Sequence, residues 1–413
     1  MSREPLLLLV HRIPYPPNKG DKIRSFHLLD YLSRHYWVHL GTFVDDPADF
    51  GYLAELAPYC ADVHALRLRP RWAQGRALRG LATGAPLTVP YYRSLSMARW
   101  VRRTLRRTGS RRLVAFSAAM AQYLPEPGPG GRRILDLVDV DSDKWRQYAE
   151  RHQGVMGWVY RREASRLLAY ERRQALAFDA TLLVSEAEAS LFRERAPEAS
   201  HRIEAVTNGV DTEYFRPDRD YPSPFAAAER PLVFTGAMDY WANGDAAAWF
   251  AETVLPRIRE RFPEAVFYIV GARPTAAVKA LERFSGVVVT GGVRDIRPYL
   301  AHADLAVAPL RVARGVQNKV LEAFAMDRPV LATGAALDGL RLERGYPLQG
   351  ETAQELAEQA EAVLTGDAPP DSRMRDWVTR HYEWAAHLAR FRELLEQETE
   401  AVTRPYHRPL EAP

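Results

Sequence analysis

Arg311, Arg314, Gly315, Lys319 and Glu322 have the types and the spacing to hold a phosphorylated ligand. Arginine and lysine give charge-assisted hydrogen bonds to phosphate. Glycine has no Cβ, so a backbone can approach a ligand there. A glutamate carboxylate only accepts, and it can take two hydroxyl protons from a ribose. The run Gly315-Val316-Gln317-Asn318-Lys319-Val320 leads into an apolar-periodic helix expected over Val316–Met326. N–H groups at a helix start, with the positive end of the helix dipole, form a cradle for phosphate. Glu322 lies roughly 9 Å further along such a helix, at about 1.5 Å per residue. A nucleotide lying along the helix fits that distance. A helix that only packs, with Glu322 on a solvated face, fits the same stretch equally well.

Asp304–Leu310 reads as a buried strand before this loop, and Pro329 opens another at Val330–Ala332. Together they make a strand–loop–helix–strand unit of a parallel sheet. The same alternation runs through the chain. Strands are expected at Leu6–His11, Trp37–Phe43, Val63–Leu68, Leu113–Phe116, Ile134–Val138, Thr181–Val184 and Ile203–Val206. Gly20, at the end of the first strand–helix loop, faces a ligand or punctuates a turn. Asp139, Asp141 and Ser142 leave the Ile134–Val138 strand and enter a long helical region reaching Phe178. Asp139 contacts a ligand, or joins Asp141 and Ser142 in capping that helix. A Pro-rich linker near 216–229 precedes a second series, which opens with Leu232–Ala237 and its Gly236 turn. A helix is expected over Asp245–Glu260, strands at Val266–Val270 and Val287–Thr290, and a last amphipathic helix over Trp384–Glu398. These elements predict an α/β chain: domain 1–217, domain 230–375, and a terminal helical segment 376–400. Each domain is Rossmann-like, and the two face each other across a cleft.

The chain has 413 residues, 47% of them hydrophobic, and a net charge of +4. Residues 1–217 hold 33 Lys+Arg against 24 Asp+Glu. Between Val63 and Pro125 there are 13 arginines and no acid. Arg99, Arg102, Arg103 and Arg106 fall in this segment, interleaved with Trp72, Leu78, Tyr91 and Trp100. That mixture suggests an anionic membrane surface as partner. No nucleic-acid-binding motif accompanies it. Cys60 is the single cysteine, which excludes an intramolecular disulfide and suggests a reducing compartment. No signal peptide or membrane-spanning run is read. His11, His27 and His302 lack metal-ligand spacing, and no metal site is expected.

Several motifs together resemble the retaining glycosyltransferases of family 4, which have the GT-B fold. The resemblance is closest to the sugar transferases associated with exosortase/PEP-CTERM exopolysaccharide systems. It is carried by Pro14-Tyr-Pro-Pro-Asn-Lys-Gly-Asp-Lys-Ile-Arg24, Val138-Asp-Val-Asp-Ser-Asp-Lys-Trp145, Asn208-Gly-Val-Asp211, Gly236-Ala-Met-Asp239, Thr290-Gly-Gly-Val-Arg-Asp295 and Gly315-Val-Gln-Asn-Lys-Val-Leu-Glu322. It implies a nucleotide-sugar donor on the C-terminal domain, with Glu322 at the ribose and the segment after Gly315 at the diphosphate. Turns such as Gly291–Val293 border the base. The terminal helix is expected to return to the N-terminal domain. The acceptor is a lipid-linked glycan, no cofactor or metal is required, and the place is the cytoplasmic face of the inner membrane.

The chain departs from that pattern. The first glutamate of the family's Glu-x7-Glu motif falls on Arg314. The usual basic pair is not evident around Met238–Gly244, so Arg311, Arg314 or Lys319 replaces it. A family histidine has no match, and Asp139 holds the nearest comparable place. Asp327 stands where glycine is usual. Three alternatives remain: an Asp139-x-Asp141 metal site of the GT-A type, a sugar-nucleotide epimerase, and a non-catalytic sugar-nucleotide-binding regulator.

Overall fold

The apolar runs of the sequence become parallel strands buried on both faces, as parallel sheets require. The computed structural model describes residues 3–17, 20–313, 315–340, 342, 348–366 and 373–397. They form two units, the first made of 1–182, 192–204 and 390–413, the second of 183–191 and 205–389. Residues 205–217, grouped with the N-terminal domain from sequence, therefore lie in the second unit.

The first unit is built on β1 (Glu4–Val10), β2 (Tyr36–Val44), β3 (Asp62–Arg67), β4 (Arg112–Phe116), β5 (Arg132–Val138), β6 (Ala180–Leu183) and β7 (Ile203–Ala205). Their order is β3-β2-β1-β4-β5-β6-β7. β1 pairs in parallel with β2 and β4, and Leu6 to Leu9 are fully buried. The helices used below are α1 (Gly20–Ser33), α2 (Pro70–Thr83), α3 (Leu95–Thr108), α4 (Asp141–Arg151) and α5 (Gly154–Ala177). The long helical region expected after β5 consists of two helices, because the chain is extended at His152 and Gln153 and turns at Gly154, φ +68°.

The second unit is built on β8 (Arg230–Thr235), β9 (Ala265–Val270), β10 (Val287–Gly291), β11 (Leu305–Ala308) and β12 (Val330–Ala332), ordered β10-β9-β8-β11-β12 with every pair parallel. Its helices include α6 (Trp241–Trp249) and α7 (Asn318–Ala325). The helix expected over Asp245–Glu260 starts earlier, at Trp241, and passes through a π-turn at Phe250–Val254. The last helix, α8 (Trp384–Glu396), joins the first unit from Arg390 onward. There the Tyr36 hydroxyl donates to Glu396 at 3.1 Å, and Arg132 Nε donates to the Leu394 carbonyl at 3.1 Å.

One buried ion pair ties α1 to the sheet of the first unit. Arg24 donates through Nε (2.9 Å) and Nη2 (3.1 Å) to the two carboxylate oxygens of Asp136 on β5. Both side chains are about 1% exposed. The Asp136 carbonyl also accepts from Ser117 N–H at 2.7 Å, and its Oδ1 from Val138 N–H at 3.2 Å. Ser117 and Val138 both have positive φ, 80° and 70°. Such backbone costs about 1–3 kcal/mol per residue and persists where its surroundings hold it. Asp136 is that surrounding group.

Removing one partner of a buried pair costs about 3–5 kcal/mol, because a desolvated charge is left unmatched. Asp136→Asn and Arg24→Met should each lower the urea midpoint. The double variant Arg24→Met/Asp136→Leu should recover part of the loss. Wild-type midpoints for both single variants would show that the pair carries no such role.

Candidate functional site

The loop after β11 turns through Gly315, whose φ of +64° is left-handed and favours glycine. A Cβ at Gly339 would strike the Gly315 backbone, so the loop packs closely against that second glycine. Gln317 is extended (ψ 105°), and α7 therefore starts at Asn318, two residues later than the apolar period predicts. No side chain caps this helix start. Its first amides have no partner within the helix.

The first turns of α7 divide by face. Val320 and Leu321 are fully buried in the core, and Val316 is 7% exposed. The Val320 N–H already donates to the Gln317 carbonyl at 3.0 Å, so Val320 supports the loop from within the core. Gln317 Nε2 donates back to the Gly315 carbonyl at 3.2 Å. Asn318 Oδ1 is buried without a hydrogen-bond partner. Lys319 and Glu322 are half-buried, one helical turn apart. Lys319 Nζ donates to Asn243 Oδ1 at 3.1 Å and lies 5.3 Å from the centroid of the Phe234 ring. The Glu322 carboxylate has no hydrogen-bond partner among the described residues. Burial pushes the Glu322 carboxyl up to about 7, against the attraction of Lys319. Burial pulls the Lys319 ammonium down to about 8, opposed by Glu322.

Asn243 links this helix to the Gly236 turn. Its Nδ2 donates to the Ala237 carbonyl at 2.9 Å while its Oδ1 accepts from Lys319. Gly271 lies so close to Gly236 that a Cβ there would strike the Gly236 carbonyl. Arg311 is held bidentately by Asp245 of α6, at 3.0 and 2.5 Å. Its charge is already matched. Val293 is partly buried against the core, after the Gly291 turn with φ +69°. Beyond it Arg297 is clamped by Asp295 at 2.7 Å, and its guanidinium lies 3.8 Å over the ring of Tyr214. The sequence reading missed Asn243, Asp245 and Tyr214. The Trp241–Asp245 stretch held a signal, since an amide and an acid there fall on the loop-facing start of a helix. Arg314 lies outside the described residues.

Gly20 and Asp139 belong to the first unit. Gly20 opens α1, with open space where a Cβ would stand. Asp139 follows the strained Val138 and accepts from Lys144 Nζ at 2.8 Å; Asp141 accepts from the same ammonium at 3.2 Å. The expected cap is absent: Val140 holds the N-cap position, and the Ser142 amide donates to Glu171 at 3.3 Å. Ser142 instead donates its hydroxyl to Glu171 at 2.5 Å. Among the described residues no group of three or more His, Cys, Asp or Glu side chains is arranged to hold a metal ion.

The raised Glu322 value makes stability depend on pH. The folded chain keeps a proton that the unfolded chain releases above about pH 4.5, and the associated stability is lost as pH rises through about 7. Glu322→Gln removes that titration. The melting temperature of the variant relative to wild type should therefore rise between pH 5 and pH 8. A difference that stays constant over this range would show that Glu322 is not desolvated.

Residues 229–366 match the family described as glycosyl transferases group 1. No curated protein sequence matches the chain. Among solved structures, Alr3699/HepE of Anabaena, crystallised with UDP, superposes with a TM-score of 0.63 at 16% identity, covering 95% of this chain and 99% of that one. A glycosyltransferase of Rickettsia africae ESF-5 gives 0.62 at 12% identity, over 96% and 98% of the two chains. WaaG, a glycosyltransferase involved in lipopolysaccharide biosynthesis, gives 0.57 at 18% identity, over 94% and 96%. These likenesses show the fold, and with the domain matched over β8–β12 they make the chain a glycosyltransferase of the GT-B fold.

Proposed function

We propose that the chain is a retaining glycosyltransferase. It takes a sugar from a nucleotide-sugar donor held on the second unit and passes it to a lipid-linked glycan in exopolysaccharide assembly. It works at the cytoplasmic face of the inner membrane, as the family 4 and PEP-CTERM resemblance implies. The observation that carries the donor reading is the Lys319–Glu322 pair beside the uncapped start of α7. An ammonium and helix amides there suit a diphosphate, and an unpartnered carboxylate suits a ribose diol. The UDP complex of the Anabaena protein, which shares the fold, supports the same reading.

When the donor C1–O bond breaks, negative charge grows on the leaving phosphate. Lys319 and the amides of Gly315–Lys319 are placed to receive it, which stabilises the transition state. The leaving phosphate oxygen takes the acceptor's proton, so no protein base is invoked. Arg311, already bound by Asp245, contributes less than Lys319. Arg314 is a further phosphate contact by sequence. Gly236 and Val293 lend backbone to the sugar side and the base side. Gly20 contacts the donor, and Asp139 acts in catalysis on a sugar hydroxyl or the acceptor, with Lys144 holding it in place. No metal is needed where these cations and amides act.

Glu322→Ala removes one or two hydrogen bonds to the ribose, worth about 1.5–3 kcal/mol each. kcat/KM should fall roughly tenfold to several thousandfold, with folding intact. Lys319→Ala should weaken nucleotide diphosphate binding more than nucleoside binding. Chelator should leave wild-type activity in place. Unchanged kcat/KM in folded Glu322→Ala rejects the site. Metal-reversible loss in chelator favours the Asp139-x-Asp141 alternative. Turnover of donor without any glycan acceptor favours the epimerase, and binding without turnover favours the regulator.

The membrane reading rests on α3. Arg99, Arg102, Arg103 and Arg106 are exposed along it, Leu95 is 70% exposed at its start, and Met97, Val101 and Thr104 are buried. No helix among the described residues is long and apolar enough to cross a membrane. Each Lys or Arg close to an anionic surface contributes about 1 kcal/mol, fading over a Debye length. The chain should co-sediment with anionic vesicles at low salt and leave them at high salt. Changing the four arginines to Gln should weaken this. Equal binding to neutral and anionic vesicles, or binding to neither, removes the electrostatic docking.

A further inference from the structure

α4 and α5 form a hairpin with an exposed apolar turn. Val155 is 78%, Trp158 54% and Met156 49% exposed. Single exposed apolar residues are ordinary; three within four positions are a patch. Next to this turn a cavity of about 640 Å³ opens, reaching from Val140 to Leu168 and including His152 and Gln153 at the turn itself. Arg146, Arg161 and Arg195 all line it. The two lining acids, Asp143 and Glu150, both bind Arg146, at 2.7 and 2.5 Å. Arg161 and Arg195 have no hydrogen-bond or ion-pair partner among the described residues. The cavity therefore carries an unmatched positive charge. Arg161 also runs back toward the apolar turn, its Nη1 close over Gly157.

The hairpin is fixed to the arginine-rich segment. Arg162 donates to the carbonyls of Gly80 and Ala85, and the buried Glu163 accepts from the amides of Leu87 and Thr88. Gly80 lies within α2 and the others follow it; Trp72, near the start of the same helix, is 71% exposed. Exposed apolar side chains on two joined elements, beside two unpaired arginines, have the makeup of a surface that meets a lipid bilayer.

We propose that this cavity is a binding site for an anionic phospholipid of the bilayer. The lipid phosphate lies against Arg161 and Arg195, and the acyl chain leaves beside Val155, Met156 and Trp158. The proposal deepens the membrane reading above but rests on other residues, none of them in α3 or at α7.

A short-chain lipid in monomeric form tests the cavity without a bilayer. Dihexanoyl phosphatidylglycerol should raise the melting temperature of the wild-type chain in a saturable way, since a ligand of the folded state stabilises by mass action. Dihexanoyl phosphatidylcholine and inorganic phosphate should do little. Arg161→Gln/Arg195→Gln should weaken the phosphatidylglycerol response roughly tenfold or more, as expected for the loss of charge-assisted hydrogen bonds. Met156→Ala/Trp158→Ala should weaken it while leaving the weak response to phosphate as it is. Both pairs are exposed, so the variants should fold, and nucleotide diphosphate binding should be unchanged in each. Equal responses to the two lipids, or a full response in the arginine variant, would overturn the site. An equal response to inorganic phosphate would overturn it in favour of a soluble phosphate ligand. A chain that responds to the short-chain lipid but ignores vesicles keeps this site and loses the α3 docking. One that binds vesicles without the response keeps the docking and loses the site.

Discussion

Parallel pairing constrains everything else in this protein. Two parallel strands cannot be joined by a tight turn, so each step through the sheet needs a crossover. All strands of a unit then point the same way, and their C-terminal ends share one edge, where ligands bind in such folds. In the first unit that edge carries His11, Ser117 and Val138–Asp139. In the second it carries Gly236, Gly291 and the Leu310–Gly315 loop. The Thr333 hydroxyl after β12 donates to the Leu310 carbonyl at 2.5 Å, tying two of these ends together. Residues far apart in sequence meet because the topology brings strand ends to one place.

The same edge gathers charge, and the first unit answers by matching it. In the run Asp21-Lys22-Ile23-Arg24, Asp21 accepts from Arg12 at 2.7 Å, Lys22 donates to Asp49 at 2.6 Å, and Arg24 holds Asp136. Arg12 also pairs with Asp45 at 3.0 Å. His11 stacks on Phe116 and lies 3.4 Å from Asp21. A run that reads in sequence as a ligand loop is thus largely a set of struts between β1, β2, β5 and α1. Buried charges are tolerated only when paired, which accounts for the density of opposite charges here.

What was legible in the sequence follows the range of the interaction. Strands announced themselves through apolar runs such as Leu6–Leu9 and Leu305–Ala308, because both faces of a parallel sheet are covered. The two Rossmann-like series and the strand–loop–helix unit around Gly315 were legible for that reason, whereas the GT-B fold was implied by the motif resemblance to family 4. Asn243 was not, because its bonds to Lys319 and Ala237 depend on how α6 packs beside α7. Neither was the Asp245 clamp on Arg311, 66 positions away. The capping expected from Asp139, Asp141 and Ser142 failed because Lys144 binds both carboxylates, and Glu171, 29 positions on, takes the Ser142 hydroxyl and amide.

The pair on α7 differs from the struts of the first unit. Burial shifts Lys319 and Glu322 toward their neutral forms, as it also shifts Asp136, so what sets the α7 pair apart is the lack of a direct bond between its members. Arg24 and Asp136, deeper still, make two direct hydrogen bonds. Direct contact is what a structural pair develops. Lys319 and Glu322 instead stand one turn apart, one bound to a neutral amide and the other to no described group. Perturbed ionisation of that kind clusters at functional sites. A ligand with phosphate near the helix start and hydroxyls about one turn on supplies partners to both side chains at once. The desolvation already incurred in folding then adds to ligand binding, since neither charge has to give up much water when the ligand arrives.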